Sequence, residues 1–325
     1  MRRLPLPLRI VATVWIAAAC GWGVLAKSAD SSYRDIAAWA SNHDLRAVNR
    51  GDDLLLTNRW SRLRLRREST TLVFNDVEFR LSDPAVFRGG RMRVSQRDIE
   101  SLVGPLVSPP KNSGKPIRLV AINAGHGGKD PGNMEGSRKE KVYTLALAKE
   151  ISTRLRAAGL KVAMLRSDDT FLPLESRAAA ANRMGADLYV SLHFNAYEGP
   201  GEHRVRGVET YCLTPAGASS SNDTGHHGGG WNPGNAQDRE NITLAHQVHR
   251  TILEQTDLPD RAVRRARFKE LTLLRMPGIL VESGYMTHGS DARFIYGTKT
   301  REQLAEAIAE GILRHKRLME RGQPE

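Results

Sequence analysis

Four widely separated residues are of the types that hold a divalent metal and move protons: His126, Glu140, His193 and Glu282. His126 lies in Asn123-Ala124-Gly125-His126-Gly127-Gly128-Lys129-Asp130-Pro131-Gly132, directly after an apolar run over 117–123 that reads as a buried strand. Glycines on both sides let the backbone turn sharply and leave the imidazole exposed at the strand end, as a metal ligand requires. Taken alone, the segment reads equally well as a glycine-rich turn with an incidental His. Glu140 opens a helical pattern, where a carboxylate also suits the helix dipole without any metal. His193 ends the strand-like run 187–193 in Ser191-Leu192-His193-Phe194-Asn195-Ala196, a place where a surface His is commonplace. Glu282 stands where an apolar run meets a Gly turn, in Ile279-Leu280-Val281-Glu282-Ser283-Gly284-Tyr285. Such a strand end seldom tolerates an unpaired charge, so a partner is expected. Two imidazoles and one carboxylate are a ligand set of catalytic zinc, which keeps a fourth position open. Beside such a site Glu282 would take a proton from water and pass it to a leaving amine.

The elements that must position these residues are strands alternating with helices. From residue 117 the pattern predicts strands over 117–123, 161–165, 187–193, 207–213, 268–274 and 279–282, and helices over 142–158, 174–183 and 241–255. Leu304, Ile308 and Ile312 mark a closing helix. This is an α/β fold, a mainly parallel sheet flanked by helices on both faces. All four candidates fall at strand ends or a helix start, where open α/β sheets place their ligands. Ahead of it, residues 30–107 read as a small α+β unit. It has a helix over 33–42, short strands at 53–57, 61–65, 71–75 and 77–81, and a second helix over 96–103. A linker rich in Pro, Ser, Gly and Lys at 108–116 separates it from the catalytic unit at 117–317, and a tail follows at 318–325.

Composition narrows the class. The 325 residues suit roughly two domains of about 150 residues each. A content of 40% hydrophobic and 26% charged residues excludes wholesale disorder, a collagen-like fibre and a polytopic membrane protein. Residues 1–26 read as an export signal peptide, with Arg2, Arg3 and Arg9 before an apolar stretch and Val24-Leu25-Ala26 near a cleavage point. The expected destination is the bacterial periplasm or cell envelope. A retained single-pass anchor is the alternative, at the short end of the spanning range. So is a lipid-anchored form, although Ala17-Ala18-Ala19-Cys20 lacks the usual Leu of a lipoprotein box. Removal of the leader lowers the net charge of +12 by its three arginines, leaving an excess that favours an anionic partner. It also removes Cys20, so Cys212 is left without an internal disulfide partner.

Other residues carry weaker signals. The polar, glycine-rich insertion 214–240 reads as a flexible lid, from which Asp223, Asp238 or Glu240 would be able to cap a metal. His246 and His249, one helical turn apart, suit an accessory metal pair less well than a solvated face, and His226 and His227 are similar. Arg261, Arg264, Arg265, Arg267 and Lys269 read as a solvated surface or an attractor of an anionic wall. Without interleaved aromatics, no nucleic-acid partner is expected. Cys212, inside a strand pattern, reads as inert core.

Taken together, Gly125-His126-Gly127-Gly128 with Asp130-Pro131-Gly132, the Glu140-Lys141 pair, Ser191 to Ala196, Gly207-Val208-Glu209-Thr210-Tyr211 and Leu280 to Tyr285 resemble the zinc-dependent N-acetylmuramoyl-L-alanine amidases of the amidase_3 family. Leu165-Arg166, Asp168, Phe171, Leu174, Arg177 and Ala181-Asn182 extend the likeness, which covers nearly all of 117–315 in order. The resemblance implies Zn2+ held by His126, Glu140 and His193, with Glu282 as the catalytic glutamate. It also implies peptidoglycan as substrate, cut at the amide between N-acetylmuramic acid and the first L-alanine of the stem. Peripheral association with the wall or membrane, and a monomer, are expected. The family usually reads Asp-Pro or Asp-Ala before Gly-His-Gly-Gly, where this chain has Asn123-Ala124, so a carboxylate near the metal is missing. Two rivals follow: an inactive peptidoglycan-binding protein of the same fold, and a zinc peptidase acting within stem peptides. The front unit is similar to the small N-terminal module of copper amine oxidases, which implies a wall-binding or spacer role.

Overall fold

The computed structural model describes residues 32–110, 116–201, 204–222 and 229–321. The expected leader lies outside the described residues, as does most of the expected linker. Among the described residues no helix is long and apolar enough to cross a membrane.

The front of the chain folds as β1 (Tyr33–Asp35), α1 (Ile36–Ser41), β2 (Arg46–Arg50), β3 (Asp53–Thr57), β4 (Arg62–Arg66), β5 (Ser69–Phe74), β6 (Val77–Arg88) and β7 (Arg91–Ser95). Strands β2 to β6 form an antiparallel meander. β4 shows why: in Arg-Leu-Arg-Leu-Arg the leucines are buried and the arginines exposed, the period-two pattern of a half-buried strand. The helix expected over 33–42 is shorter at its start, because residues 33–35 pair with β7 and Asp35 caps α1 by accepting from the N–H groups of Ala37 and Ala38. The second helix runs on past 103, through α2 (Gln96–Asp98), a π-helical turn (Ile99–Val103) and α3 (Gly104–Val107). β2 and β7 were not anticipated.

The second part contains β8 (Leu119–Ala124), a two-stranded hairpin of β9 (Met134–Glu135) and β10 (Arg138–Lys139), α4 (Glu140–Ala157), β11 (Lys161–Met164), α5 (Leu174–Met184), β12 (Leu188–Asn195) and β13 (Val208–Cys212). It continues with α6 (Asp238–Gln255), β14 (Asp260–Arg265), α7 (Lys269–Thr272), β15 (Gly278–Tyr285), α8 (Gly289–Tyr296) and α9 (Thr298–Arg321). Alternation along β8 sorts the two layers. Val120 and Ile122 belong to the core that also holds Leu147 and Ile151 of α4, Ile242 of α6 and Leu304 of α9, whereas Ala121 belongs to the one that holds Ala178 and Ala181 of α5 and Leu271 of α7.

The sheet is mixed. β11, β8, β12 and β15 are parallel neighbours, but β13 runs antiparallel to β15. The connection from β12 to β13 carries no crossover helix among its described residues, and without one a strand returns in the opposite direction. β14 then pairs parallel to β13 and, through Val263 opposite Phe79, to β6, so one thirteen-stranded sheet runs from β11 to the meander.

Two expectations fail here. Residues 268–274 are not a strand: Phe268, Leu271 and Leu274 recur every third position, and α7 with its flanking turns buries the two leucines. The arginine-rich stretch is largely strand β14, wedged between β13 and β6, and its charges hid the alternation of a strand whose Ala262, Val263 and Arg265 are buried.

Candidate active site

The C-terminal ends of β8, β12 and β15 open toward one another. Beyond β8 the chain turns at Gly125, where an added Cβ would lie 2.4 Å from the His193 ring, so only glycine lets that imidazole approach. His126 follows in the left-handed region, φ 62°, and its ring faces Glu140. Arg166, buried, holds this bend by donating to the carbonyls of Ala124 at 2.8 Å, Gly125 at 2.7 Å and Lys141 at 2.8 Å. Gly132, φ 67°, lies against Glu140, where a Cβ would stand 2.6 Å from a carboxylate oxygen and from the His126 ring.

His126, Glu140 and His193 converge. Their ligand-type atoms all lie within 4.8 Å of one another, and theirs is the one such His/Cys/Asp/Glu cluster among the described residues. Glu140 is 1% exposed and bridges the rings: its Oε2 is 3.0 Å from His126 Nε2 and its Oε1 is 3.0 Å from His193 Nδ1. The N–H groups of Asn133 and Phe194 donate to the same carboxylate at 2.9 and 3.0 Å. Burial alone would raise the Glu140 carboxyl, but the two imidazoles hold it well below the carboxylate range. The rings answer in the opposite sense. Burial opposes charge on both, yet the Glu140 carboxylate raises His193 and, with Asp130, raises His126. A pocket that draws protons onto two imidazoles around one carboxylate draws a cation for the same reason, and its two-His, one-carboxylate donor set with one outer imidazole nitrogen on Asp130 fits a divalent metal.

Glu282 lies on β15 between His193 of β12 and Glu209 of β13 in the strand register. It is half-buried, and its Oε2 has no hydrogen-bond partner. Burial and the neighbouring Glu140 and Glu209 carboxylates push its carboxyl up to about 8, against the opposite pull of His193 and His126.

Two buried acids beside the cluster carry no role in the sequence. Glu270 of α7, 3% exposed, was hidden in the wrongly expected strand; it accepts from Asn123 Nδ2, Tyr189 OH and Ser191 Oγ. Glu209 was visible in its motif but without a role; it is buried and held by Arg261, Arg264, Tyr211 and Asn195.

Other candidates sit elsewhere. Asp223, His226 and His227 lie outside the described residues. Asp238 accepts from Asn235 Nδ2 at the start of α6, and Glu240 follows in its first turn. The described parts of the 214–240 insertion are pinned, with Arg267 donating to the carbonyls of Pro215 and Ala218 and a 3-10 helix at Pro233–Gln237. His246 and His249 are buried rather than a solvated face. His249 bonds Thr210 and Asp260, while the His246 ring packs edge-on to Phe74 and burial lowers it to about 3. The arginine run is not a free surface either: Arg261 and Arg264 face Glu209, and Arg265 donates to the carbonyls of Leu213 and Ser101. Cys212 is buried, and burial pushes its thiol up to about 12.

With this geometry in hand, similarity to other proteins is informative. The family model described as N-acetylmuramoyl-L-alanine amidase matches residues 120–314. AmiA of Escherichia coli, named an N-acetylmuramoyl-L-alanine amidase, is 29% identical over 227 residues, covering 62% of this chain and 77% of that protein. The uncharacterized protein YqiI of Bacillus subtilis is 30% identical over 208 residues, covering 63% of this chain and 89% of that protein. Among solved structures, the amidase AmiC2 of Nostoc punctiforme superposes with a TM-score of 0.52 at 33% identity, over 62% of this chain and 98% of the other. The chain belongs to the amidase_3 family of N-acetylmuramoyl-L-alanine amidases and is a peptidoglycan hydrolase with that family's mixed α/β fold.

Proposed function

We propose that this enzyme is a zinc amidase that cuts between the lactyl group of N-acetylmuramic acid and the L-alanine of the stem peptide. In this reading His126, Glu140 and His193 hold the metal and Glu282 handles the proton. The observation that carries it is the convergence of the three donor side chains around one point, with Glu282 on the next strand. Zinc bound there supplies Lewis-acid activation of water and of the scissile carbonyl. The chain's own groups do the rest. Asp130, 2.9 Å from His126 Nδ1, fixes that ring's tautomer and leaves Nε2 turned inward. Glu140 and the loop braced by Arg166 keep the two rings 4.9 Å apart, centre to centre. The unpartnered Oε2 of Glu282 accepts a proton from the attacking water, and the same carboxyl returns it to the alanine nitrogen as the C–N bond breaks. A carboxyl raised from its ordinary value is suited to both halves of that transfer near neutral pH.

The remaining expectations join this proposal. The 1–26 leader would deliver the chain to the periplasm or cell envelope, and its basic charge suits an anionic wall. The test is mass spectrometry of purified sacculi digested with and without a chelator. Stems with a free L-alanine amino terminus and intact lactyl groups, absent with chelator, are the expected products. Cleavage between stem amino acids, or binding without new ends, would overturn the assignment in favour of a peptidase or an inactive binder.

A further inference from the structure

Each imidazole of the cluster turns one nitrogen to Glu140 and the other to a second carboxylate. For His126 that carboxylate is Asp130. For His193 it is Glu270, whose Oε1 lies 3.6 Å from Nε2. Histidines that bind metals almost always give their outer N–H to a carboxylate, a carbonyl or water, which fixes the tautomer and strengthens the ligand. The Nε2 of His193 is buried with no hydrogen-bond partner, because 3.6 Å is too long for one. Closing it takes a movement of roughly half an ångström.

Glu270 is built to face this nitrogen. Its other oxygen, Oε2, is saturated by Asn123 Nδ2 at 2.8 Å, Tyr189 OH at 2.8 Å and Ser191 Oγ at 3.1 Å, which leaves Oε1 for His193. The donor Asn123 is the position where this chain departs from the Asp of the family motif. An Asp there would set a carboxylate against Glu270, whereas Asn gives it a hydrogen bond. We infer that Glu270 is a positioning residue that supplies from α7 the outer carboxylate of His193, and that Asn123 and Glu270 are a matched pair in which the missing acid is replaced rather than lost. The inference rests on His193 being a metal ligand, as proposed above.

Zinc alone is the probe. Its dissociation constant is measured on the full chain by competition with a chromophoric chelator, with the absorption spectrum of the Co2+-loaded protein as a second readout. Glu270→Gln is expected to bind zinc about 10- to 100-fold more weakly and to shift the Co2+ spectrum. Asn123→Asp alone is also expected to weaken binding, because it crowds two acids. The double variant Asn123→Asp/Glu270→Gln, which moves the single carboxylate across the same hydrogen bond, is expected to recover at least about threefold of the loss. That recovery keeps the test decisive if the Glu270→Gln chain is poorly folded. Unchanged affinity in Glu270→Gln, or a double variant no better than Glu270→Gln, would overturn the inference while leaving the ligands intact. A wild-type chain that binds no zinc would instead overturn the ligand assignment itself.

Discussion

At the seam where β13, β14 and β6 meet, buried charges are matched to one another. Glu209 accepts from Arg261 and Tyr211, with Arg264 alongside. Asp260 takes His249 and the N–H groups of Glu78 and Ala262, and Arg265 caps two carbonyls. At the open ends of β8, β12 and β15, on the same sheet, Glu282 Oε2, His193 Nε2 and Asn123 Oδ1 have no partners. Both regions are polar and packed, but one spends its hydrogen bonds on joining two parts of the chain and the other leaves atoms unpaired. Unsatisfied buried groups cost about 1–3 kcal/mol each, so a fold keeps a cluster of them where function draws on the free atoms. His246 is the exception at the seam, with an unpartnered Nε2, and there burial simply keeps the ring neutral.

The largest effect that would break this contrast is on folding. Asp260→Ala strands His249 and two backbone N–H groups, and is expected to cost about 3 kcal/mol in urea denaturation. Glu282→Gln in the metal-free protein should melt at or above the wild-type temperature, since it removes a poorly compensated carboxylate. Equal losses in both variants would erase the distinction between seam and site.

A smaller effect depends on pH. His246 and His315 are lowered by burial to about 3, while an unfolded His titrates near 6.5. The native state therefore binds fewer protons between those values, and stability, complete above about 6.5, is lost as pH falls toward about 3. Each ring contributes at most about 1.4 kcal/mol per pH unit in that window. His246→Leu should flatten the acid limb of the stability curve, and an unchanged slope would show that this ring is already protonated in the fold. The smallest effect is at Ala262, which holds φ 79° to bring its N–H onto Asp260. Ala262→Gly relieves that backbone and is expected to stabilise by up to about 1 kcal/mol, so a drop in melting temperature would contradict the reading of strain.

Much of the site was legible because the constraint is local. Glycines around His126, an acid opening α4 and a His ending β12 each leave a mark in the chain, and the α/β alternation places them at one edge. What was not legible depends on distant packing. The arginines of β14 look like a solvated surface until Glu209 and the meander are placed on either side of them. Glu270 was missed because its segment was taken for a strand despite the three-residue spacing of Phe268, Leu271 and Leu274, and its partners Asn123, Tyr189 and Ser191 come from β8 and β12. The opposite direction of β13, by contrast, is legible in the lack of a helical pattern between 194 and 206, because a parallel return needs a crossover.

The central claim is that one metal-holding trio is served by Glu282, and Glu282→Gln purified with zinc tests it most directly. Elemental analysis and turnover on sacculi are measured on the same preparation. One equivalent of zinc retained, with the rate lowered on the order of a hundredfold or more, is the predicted result. Near wild-type turnover, or zinc lost to the extent expected on removing the ligand in His126→Ala, would contradict it.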